Sequence, residues 1–526
     1  MPEKQLRIEK VAAMRKILSE IPSPSDYTPI TDALQRTIEL GEGGIASTLK
    51  SLNSMPQSTM VFDNPVLNRA SVHCDGGNIT LNIRSFALRG VIRESEIVAN
   101  QLSPASIIFT GLFGRKPKKT GNDLDEEAML DALINRKFYR FRRVSRESVL
   151  GIQPIIHQIA EFVRAFPESG PEEVIQHFST LRKIHRTKHR IPDRGINEER
   201  LSGSLLIEMI ATHMENVALG AMSVYMRHLL RKTPNLPAQA LAQQTNRIIS
   251  REQKAGKTAF QTCYSLLLGR HASGVECNIL ERMGAIQIHH GSAGSSMVAR
   301  YLATLHTSKV SDFYVASQMT LDGDRHFGAI HDMTNFMNRI EPLTPKARDE
   351  AIQREVIGGG IPTFGHPEIA AAGRSDEIQQ DPRPAIYLQL LFRAIDSNDI
   401  ILSDRQHKRL AIAQRIYQIA FVEGVIKPGR EDAAPLRLTP NTDFGAWCVQ
   451  EGLDIYETDR TLLTYVFRGF GWMMDAREQL QLKIIRPVIP AHPSIVPKPI
   501  KDDSIIPDLV VDNHNRLASG NAFIAH

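Results

Sequence analysis

Cysteine is scarce and scattered. Cys74, Cys263, Cys277 and Cys448 form no CxxC pair, so neither a disulfide framework nor a cysteine zinc site is expected. Reduced thiols in a cytoplasmic compartment fit best. Long apolar runs are missing too. The longest apolar segment, Leu205 to Met222, is broken by Glu208, His213 and Glu215, and no membrane span is implied. The N-terminal MPEKQLRIEKVAAMRKILSEI has no apolar secretory core, and its glutamates argue against a mitochondrial presequence. Charge of one sign is barely in excess. Lys plus Arg is 63 against 58 Asp plus Glu, a balance of +5, which suits an anionic small molecule at least as well as nucleic acid.

What is present is an ordinary soluble composition over 526 residues, too long for one core, so two domains are expected. The prevailing periodicity is helical. Val11, Met14, Leu18 and Ile21 recur at helical spacing, as do Val298, Tyr301, Leu302 and Leu305, and again Leu463, Val466, Phe467 and Phe470. Ser311 before Asp312 is read as an N-cap. The exception is NITLNI at 78–83, which alternates like a strand after Asp75-Gly76-Gly77. Proline and glycine cluster at 357–367, 381–384 and 428–440, where a smaller domain could hinge, and at 487–499, where the tail reads as extended.

Two basic tracts carry open alternatives. RKFYRFRRVSR at 136–146 and RKIHRTKHRIPDR at 182–194 suit polyanion binding through phosphates and stacking. A solvated helix face with buried aromatics accounts for them equally simply.

Chemistry concentrates in five places. Between Ile288 and Met333 lie five of the eighteen histidines. His289-His290-Gly291-Ser292 is hard to explain as core packing, because tandem histidines lead directly into a glycine turn. Gly323-Asp324-Arg325-His326-Phe327-Gly328 puts His326 on a polar turn, facing either a cleft or solvent. Gly358 to His366 runs three glycines into Pro362 and then His366, and lacks the spacing of a phosphate loop. Pro440-Asn441-Thr442-Asp443 reads as a helix start or as a site. Arg468 in FRGFGW sits on an apolar helix and must meet an anion or reach solvent.

Taken in order, HHGSAG, GDRHFGA, TFGH followed by DPR, PNTDF, FRGFGW and IIRP resemble the ordered motifs of the citrate synthase family, over roughly residues 80–490. The resemblance implies a mainly α, two-domain fold. The large domain spans 1–337 and returns at 461–526 with the tail, and the small domain spans 338–460. It implies condensation of acetyl-CoA, or a related acyl-CoA, with oxaloacetate. Asp443 would be the base, His326 the donor to the thioester oxygen, and His366 the group polarising the oxaloacetate carbonyl. His290, Arg383 and Arg468 would hold carboxylates. Arg486 would reach the neighbouring subunit's site, hence a homodimer. Neither metal nor bound cofactor is implied; the coenzyme A thioester is a substrate. No nucleic acid or membrane partner is expected.

Two departures bear on specificity. PEIAAAGRSDEIQQ follows His366 with one basic residue, Arg374, so the pocket for CoA should differ and another acyl chain is compatible, as in a 2-methylcitrate or alkylcitrate synthase. Gly-Asp-Arg before His326 resembles the citryl-CoA-cleaving module of ATP citrate lyase, which makes a citryl-CoA lyase the nearest enzymatic alternative. The alternative of another class is a non-catalytic, polyanion-binding descendant.

Overall fold

A 30-residue helix organises the larger part of the molecule. The computed structural model describes residues 61–62, 72–75, 78–81, 103–113, 117–118, 125–146, 154–188, 203–288, 294–305, 309–321, 328–358, 360–365, 382–429, 434–479 and 487–488. The chain is mostly helical. Among the described residues the strands form two short antiparallel pairs. Val61–Phe62 (β1) pairs with Pro487–Val488 (β4), and Val72–Asp75 (β2) pairs with Asn78–Leu81 (β3) around Gly76-Gly77. The second pair is the strand expected from NITLNI. The helical spacing at 11–21 lies outside the described residues.

The helices of the larger group are α1 (Pro104–Phe113), α2 (Glu126–Arg146), α3 (Ile155–Ala165), α4 (Pro171–Lys188), α5 (Gly203–Lys232), α6 (Ala238–Lys254), α7 (Ala259–Leu267), α8 (Gly274–Gln287), α9 (Gly294–Thr304) and α10 (Val310–Leu321). Helix α5 is the long one, and α2, α3, α4, α6, α7 and α10 all pack on it. Its near-continuous apolar surface is therefore core and not lipid-facing. No helix among the described residues is long and apolar enough to cross a membrane. The first basic tract lies on α2, where Phe138 and Tyr139 are buried and Arg140 is exposed, as the solvated-face reading requires. Cys263, Cys277 and Cys448 are buried free thiols.

A second group follows: α11 (Gly328–Ile340), α12 (Pro345–Gly358), α13 (Pro382–Asp396), α14 (Asp404–Tyr417, prolonged by a π segment at Gln418–Glu423) and α15 (Thr442–Gly452). These pack on one another around Trp447, whose indole N–H donates to Thr334 (3.0 Å). The chain then returns to the first group as α16 (Thr461–Gln479), which packs on α5, α8 and α9.

That return is pinned from both sides at consecutive residues. The buried carboxylate of Asp459 accepts from Arg227 Nε (2.9 Å) and Arg231 Nη1 (2.9 Å) of α5. Arg460 turns the other way, donating to Thr334 (3.0 Å) and Glu451 Oε2 (2.8 Å) in the second group. Removing one partner of such a buried pair leaves an uncompensated charge, at a cost of about 3–5 kcal/mol.

One expectation needs correction. Ser311 is not an N-cap. Helix α10 has already begun at Val310, so Ser311 lies in its first turn. The helix expected from Val298, Tyr301, Leu302 and Leu305 is present as α9, with Leu302 packed against the core but Tyr301 48% and Leu305 43% exposed. Helix α9 instead buries Ser295, Ser296, Ala299, Arg300 and Ala303. Small side chains let its backbone approach α16 closely, and contact with a neighbouring helix outweighs the larger apolar residues on the opposite face. The stripe at Leu463, Val466, Phe467 and Phe470 is buried throughout, worth about 1.5–3 kcal/mol for each such side chain.

His213 of α5 is fully enclosed, with its Nε2 2.9 Å from the carbonyl oxygen of Val466 and its ring stacked on Tyr314. Burial draws its pKa down to about 4, the hydrogen bond to Val466 acting the other way. The unfolded chain takes up this proton near 6.5 and the folded chain only near 4. This contribution to stability is thus full above about pH 6.5 and drains away as pH falls towards 4, by about 3 kcal/mol. Denaturant titrations from pH 7 to 4.5 should show His213→Gln losing less stability on acidification than the parent. Equal slopes would remove His213 from the acid response.

Candidate active site

Asp443 stands at the second position of α15, in a turn whose geometry begins one residue before the helix. Asn441 is the N-cap, its side-chain oxygen accepting from the Asp443 N–H (2.9 Å). The helix-start reading of PNTDF therefore holds: the cap fixes the backbone and leaves the half-buried Asp443 carboxylate at the positive end of α15.

The same turn is tied to the loop that leads to His366. The Gly365 N–H donates to Thr439 O (2.7 Å), and the Asn441 N–H donates to Thr363 O (3.0 Å). The Asn441 side-chain amide reaches Gly365 O (3.2 Å), and the Phe364 and Phe444 rings meet edge to face at 4.9 Å. Thr363 holds φ 65° and Gly365 φ 80°. A β-branched residue in the left-handed region costs about 1–3 kcal/mol, so such a conformation persists only where the surroundings over-determine it, often at sites.

Helix α13 brings Arg383 to the same place. A Cβ on Gly445 would lie 2.8 Å from Pro384 Cα, so only glycine lets α13 and α15 approach this closely. Arg383 precedes that contact and is 2% exposed. One turn on, the buried Tyr387 hydroxyl donates to Met283 O of α8 (3.4 Å).

The third component comes from α16. Arg468 is buried, and its Nε and Nη1 have no hydrogen-bond partner among the described residues. Burial draws its pKa down to about 10. Asp475 and Asp443 act against that fall, and Arg383 adds to it. Arg383, Asp443 and Asp475 are thus each within electrostatic reach of Arg468, although the four residues come from three helices. The backbone beside Arg468 packs tightly on α5, because a Cβ on the adjacent Gly469 would fall 2.0 Å from the His213 ring. Thr464, Arg468 and Asp475, spaced four and seven residues apart, share one face of α16. Thr464 donates to Gln287 at the end of α8 (3.1 Å), and Asp475 pairs with Arg300 of α9 (2.5 Å). Helices α8 and α9 are therefore both tied to α16.

A buried guanidinium whose Nε and Nη1 have no partner among the described residues, within electrostatic reach of a carboxylate at a helix N-terminus, is suited to receive a small anion. A family model for the C-terminal domain of citrate synthase matches residues 158–488, well over half of the chain. The chain belongs to the citrate synthase family.

The fold agrees with that membership. A citrate synthase from Thermoplasma acidophilum, solved as a ternary complex with carboxymethyl coenzyme A and oxaloacetate, is similar at 15% identity with a TM-score of 0.50, over 80% of this chain and 89% of that one. Citrate synthases from Pyrobaculum aerophilum (16%, TM-score 0.48, 80% and 95% covered) and Thermotoga maritima (15%, TM-score 0.49, 80% and 91% covered) are also similar. No curated protein sequence matches.

Of the residues singled out by the family motifs, Asp443, Arg383 and Arg468 come together in this way. His290, His326, His366 and Arg486 lie outside the described residues. Motif reading passed over Asp475, Arg300 and Tyr387. Asp475 had a legible signal, a second charge two turns after Arg468 on the same apolar helix. Arg300 and Tyr387 had none, since their roles depend on partners distant in sequence.

Arg468 carries a direct test. Arg468→Met removes a buried charge with unpartnered donors, so its melting temperature without ligand should equal or exceed that of the parent. The rise in melting temperature that a C4 dicarboxylate gives the parent should vanish. A destabilised variant that still responds to the dicarboxylate would show that Arg468 is structural.

Proposed function

We propose that this chain condenses acetyl-CoA, or a closely related acyl-CoA, with oxaloacetate to give citrate and free CoA. The observation that carries this reading is the buried Arg468, with unpartnered donors, in electrostatic reach of Arg383 and Asp443. Two cations match the two carboxylates of oxaloacetate. A carboxylate base beside them matches the need to deprotonate a second, carbon-acid substrate.

The chemistry explains why several groups are needed. A thioester methyl is a very weak acid, and each pKa unit separating it from its base costs about 1.36 kcal/mol. A preorganised donor at the developing enolate oxygen returns roughly 2.7–4 kcal/mol. Holding both substrates in contact returns about 7–11 kcal/mol more. In this reading Asp443 removes the methyl proton and His326 donates to the thioester oxygen. His366 polarises the oxaloacetate carbonyl, and His290, Arg383 and Arg468 hold its carboxylates. The new carbon–carbon bond gives citryl-CoA, whose hydrolysis releases CoA.

A small domain of residues 338–460 would supply Asp443, Arg383 and His366, and the large domain the rest. Closing one on the other would assemble the site and exclude water. Arg486 would complete the site of a second subunit in a cytoplasmic homodimer.

Thiol release is the decisive assay. The pure protein should release CoA thiol when acyl-CoA and oxaloacetate are both present and with neither alone. Asp443→Asn should lower kcat by about 10²–10⁴-fold while leaving the melting temperature unchanged. No release with any of several acyl-CoAs would overturn the synthase reading, and cleavage of citryl-CoA to acetyl-CoA and oxaloacetate, with no thiol released, would replace it with lyase chemistry. Retention of RNA that weakens steeply with salt and ignores CoA would move the chain to the binding class.

A further inference from the structure

Both backbone groups and both ends of the side chain of Asn441 are hydrogen-bonded. The side-chain oxygen accepts from the Asp443 N–H (2.9 Å), and the side-chain amide donates to Gly365 O (3.2 Å). The backbone N–H donates to Thr363 O (3.0 Å), and the backbone carbonyl accepts from the Phe444 N–H (3.1 Å). The two residues gripped on the loop flank Phe364 and are its left-handed ones, Thr363 at φ 65° and Gly365 at φ 80°. One residue thus holds both carbonyls of the strained turn that leads into His366. It also holds the first turn of the helix that carries Asp443.

Capping alone does not call for asparagine, since serine and aspartate cap a helix as well. A serine hydroxyl can meet the Asp443 N–H but is too short to reach Gly365 as well. An aspartate carboxylate only accepts, and would set a second acceptor against the Gly365 carbonyl. Among these three, only asparagine carries an acceptor and a donor on one planar group. Its two partners fix which way that group faces. We infer that Asn441 is a positioning residue that sets the proposed base and the proposed carbonyl-polarising residue in register: one carboxamide fixes the backbone of Asp443 and the peptide unit that joins Gly365 to His366. The inference rests on the proposed synthase reading and adds to it a residue that acts through two others. A peptide unit is planar, so the Gly365 carbonyl and the start of residue 366 turn together. Other contacts keep the two segments side by side without the carboxamide. The Gly365 N–H donates to Thr439 O (2.7 Å), and the Phe364 and Phe444 rings meet. What the carboxamide adds is the orientation of that peptide relative to the base. Carbon–carbon bond formation is sensitive to such placement, and an error of about 1 Å costs about 10²-fold in rate.

Two variants separate the two contacts. Asn441→Ser keeps the cap and releases Gly365; Asn441→Ala loses both. The serine variant should melt with the parent, yet release thiol about 10²-fold more slowly at saturating substrates. Its KM for oxaloacetate should match the parent's, because Arg383 and Arg468 still hold the carboxylates. The alanine variant should melt lower and turn over no faster than the serine variant. Stability then follows the cap, and kcat follows the hold on Gly365. A serine variant that fails to fold, or whose kcat falls only as far as its stability does, would make Asn441 structural alone. A serine variant that matches the parent's kcat, in a parent that releases thiol, defeats this inference and leaves the synthase reading standing. A parent that releases no thiol with any acyl-CoA defeats the synthase reading, and this inference with it.

Discussion

Guanidinium groups taken out of water dominate this molecule. A buried charge is tolerable only if its field is met by an opposite charge and its donors by acceptors. The fold meets that demand in two ways. Arg227, Arg300 and Arg460 are matched by Asp459, Asp475 and Glu451 within the chain, and these pairs fasten helices that are far apart in sequence. Arg468 keeps donors unmatched inside the protein.

The scaffold pairs act where the two helix groups meet. Asp459 and Arg460 are neighbours in the chain and point into different groups, so the return to α16 is constrained on both sides of one peptide bond. Helix α16 starts at that point and carries Thr464, Arg468 and Asp475 along one face. Its register against α8 and α9 therefore sets where the anion-binding guanidinium stands. On the other side of the site, the Thr363–Gly365 and Thr439–Asn441 segments hold each other through backbone hydrogen bonds. The approach to His366 and the start of α15 thus move as a unit. A left-handed Thr363 is the local strain that this pairing sustains.

Much of the fold could be read from residue order because its signals are local. Helical periodicity, the Asp75-Gly76-Gly77 hairpin and the asparagine cap before Asp443 depend on neighbours a few residues apart. The packing partner of each helix is not local information. Helix α9 was legible as a helix, yet its buried face proved to be the small-residue face. What decided it was the close approach of α16, a helix more than 150 positions further along. Arg300 went unread for the same reason, since a partner on a distant helix leaves no spacing signature.

By itself the sequence determined the helical class, the ordered motifs that mark the citrate synthase family, and the identities of Asp443, Arg383 and Arg468. Those are properties of residue type and short-range spacing. Only the tertiary structure decided that these three share one electrostatic environment, that Arg468 has donors to spare while Arg300 has a carboxylate, and that the turn of Asp443 is stitched to the loop before His366. Charge burial and hydrogen-bond satisfaction are settled by whatever surrounds a group in space, and chain order does not specify that until the helices have packed.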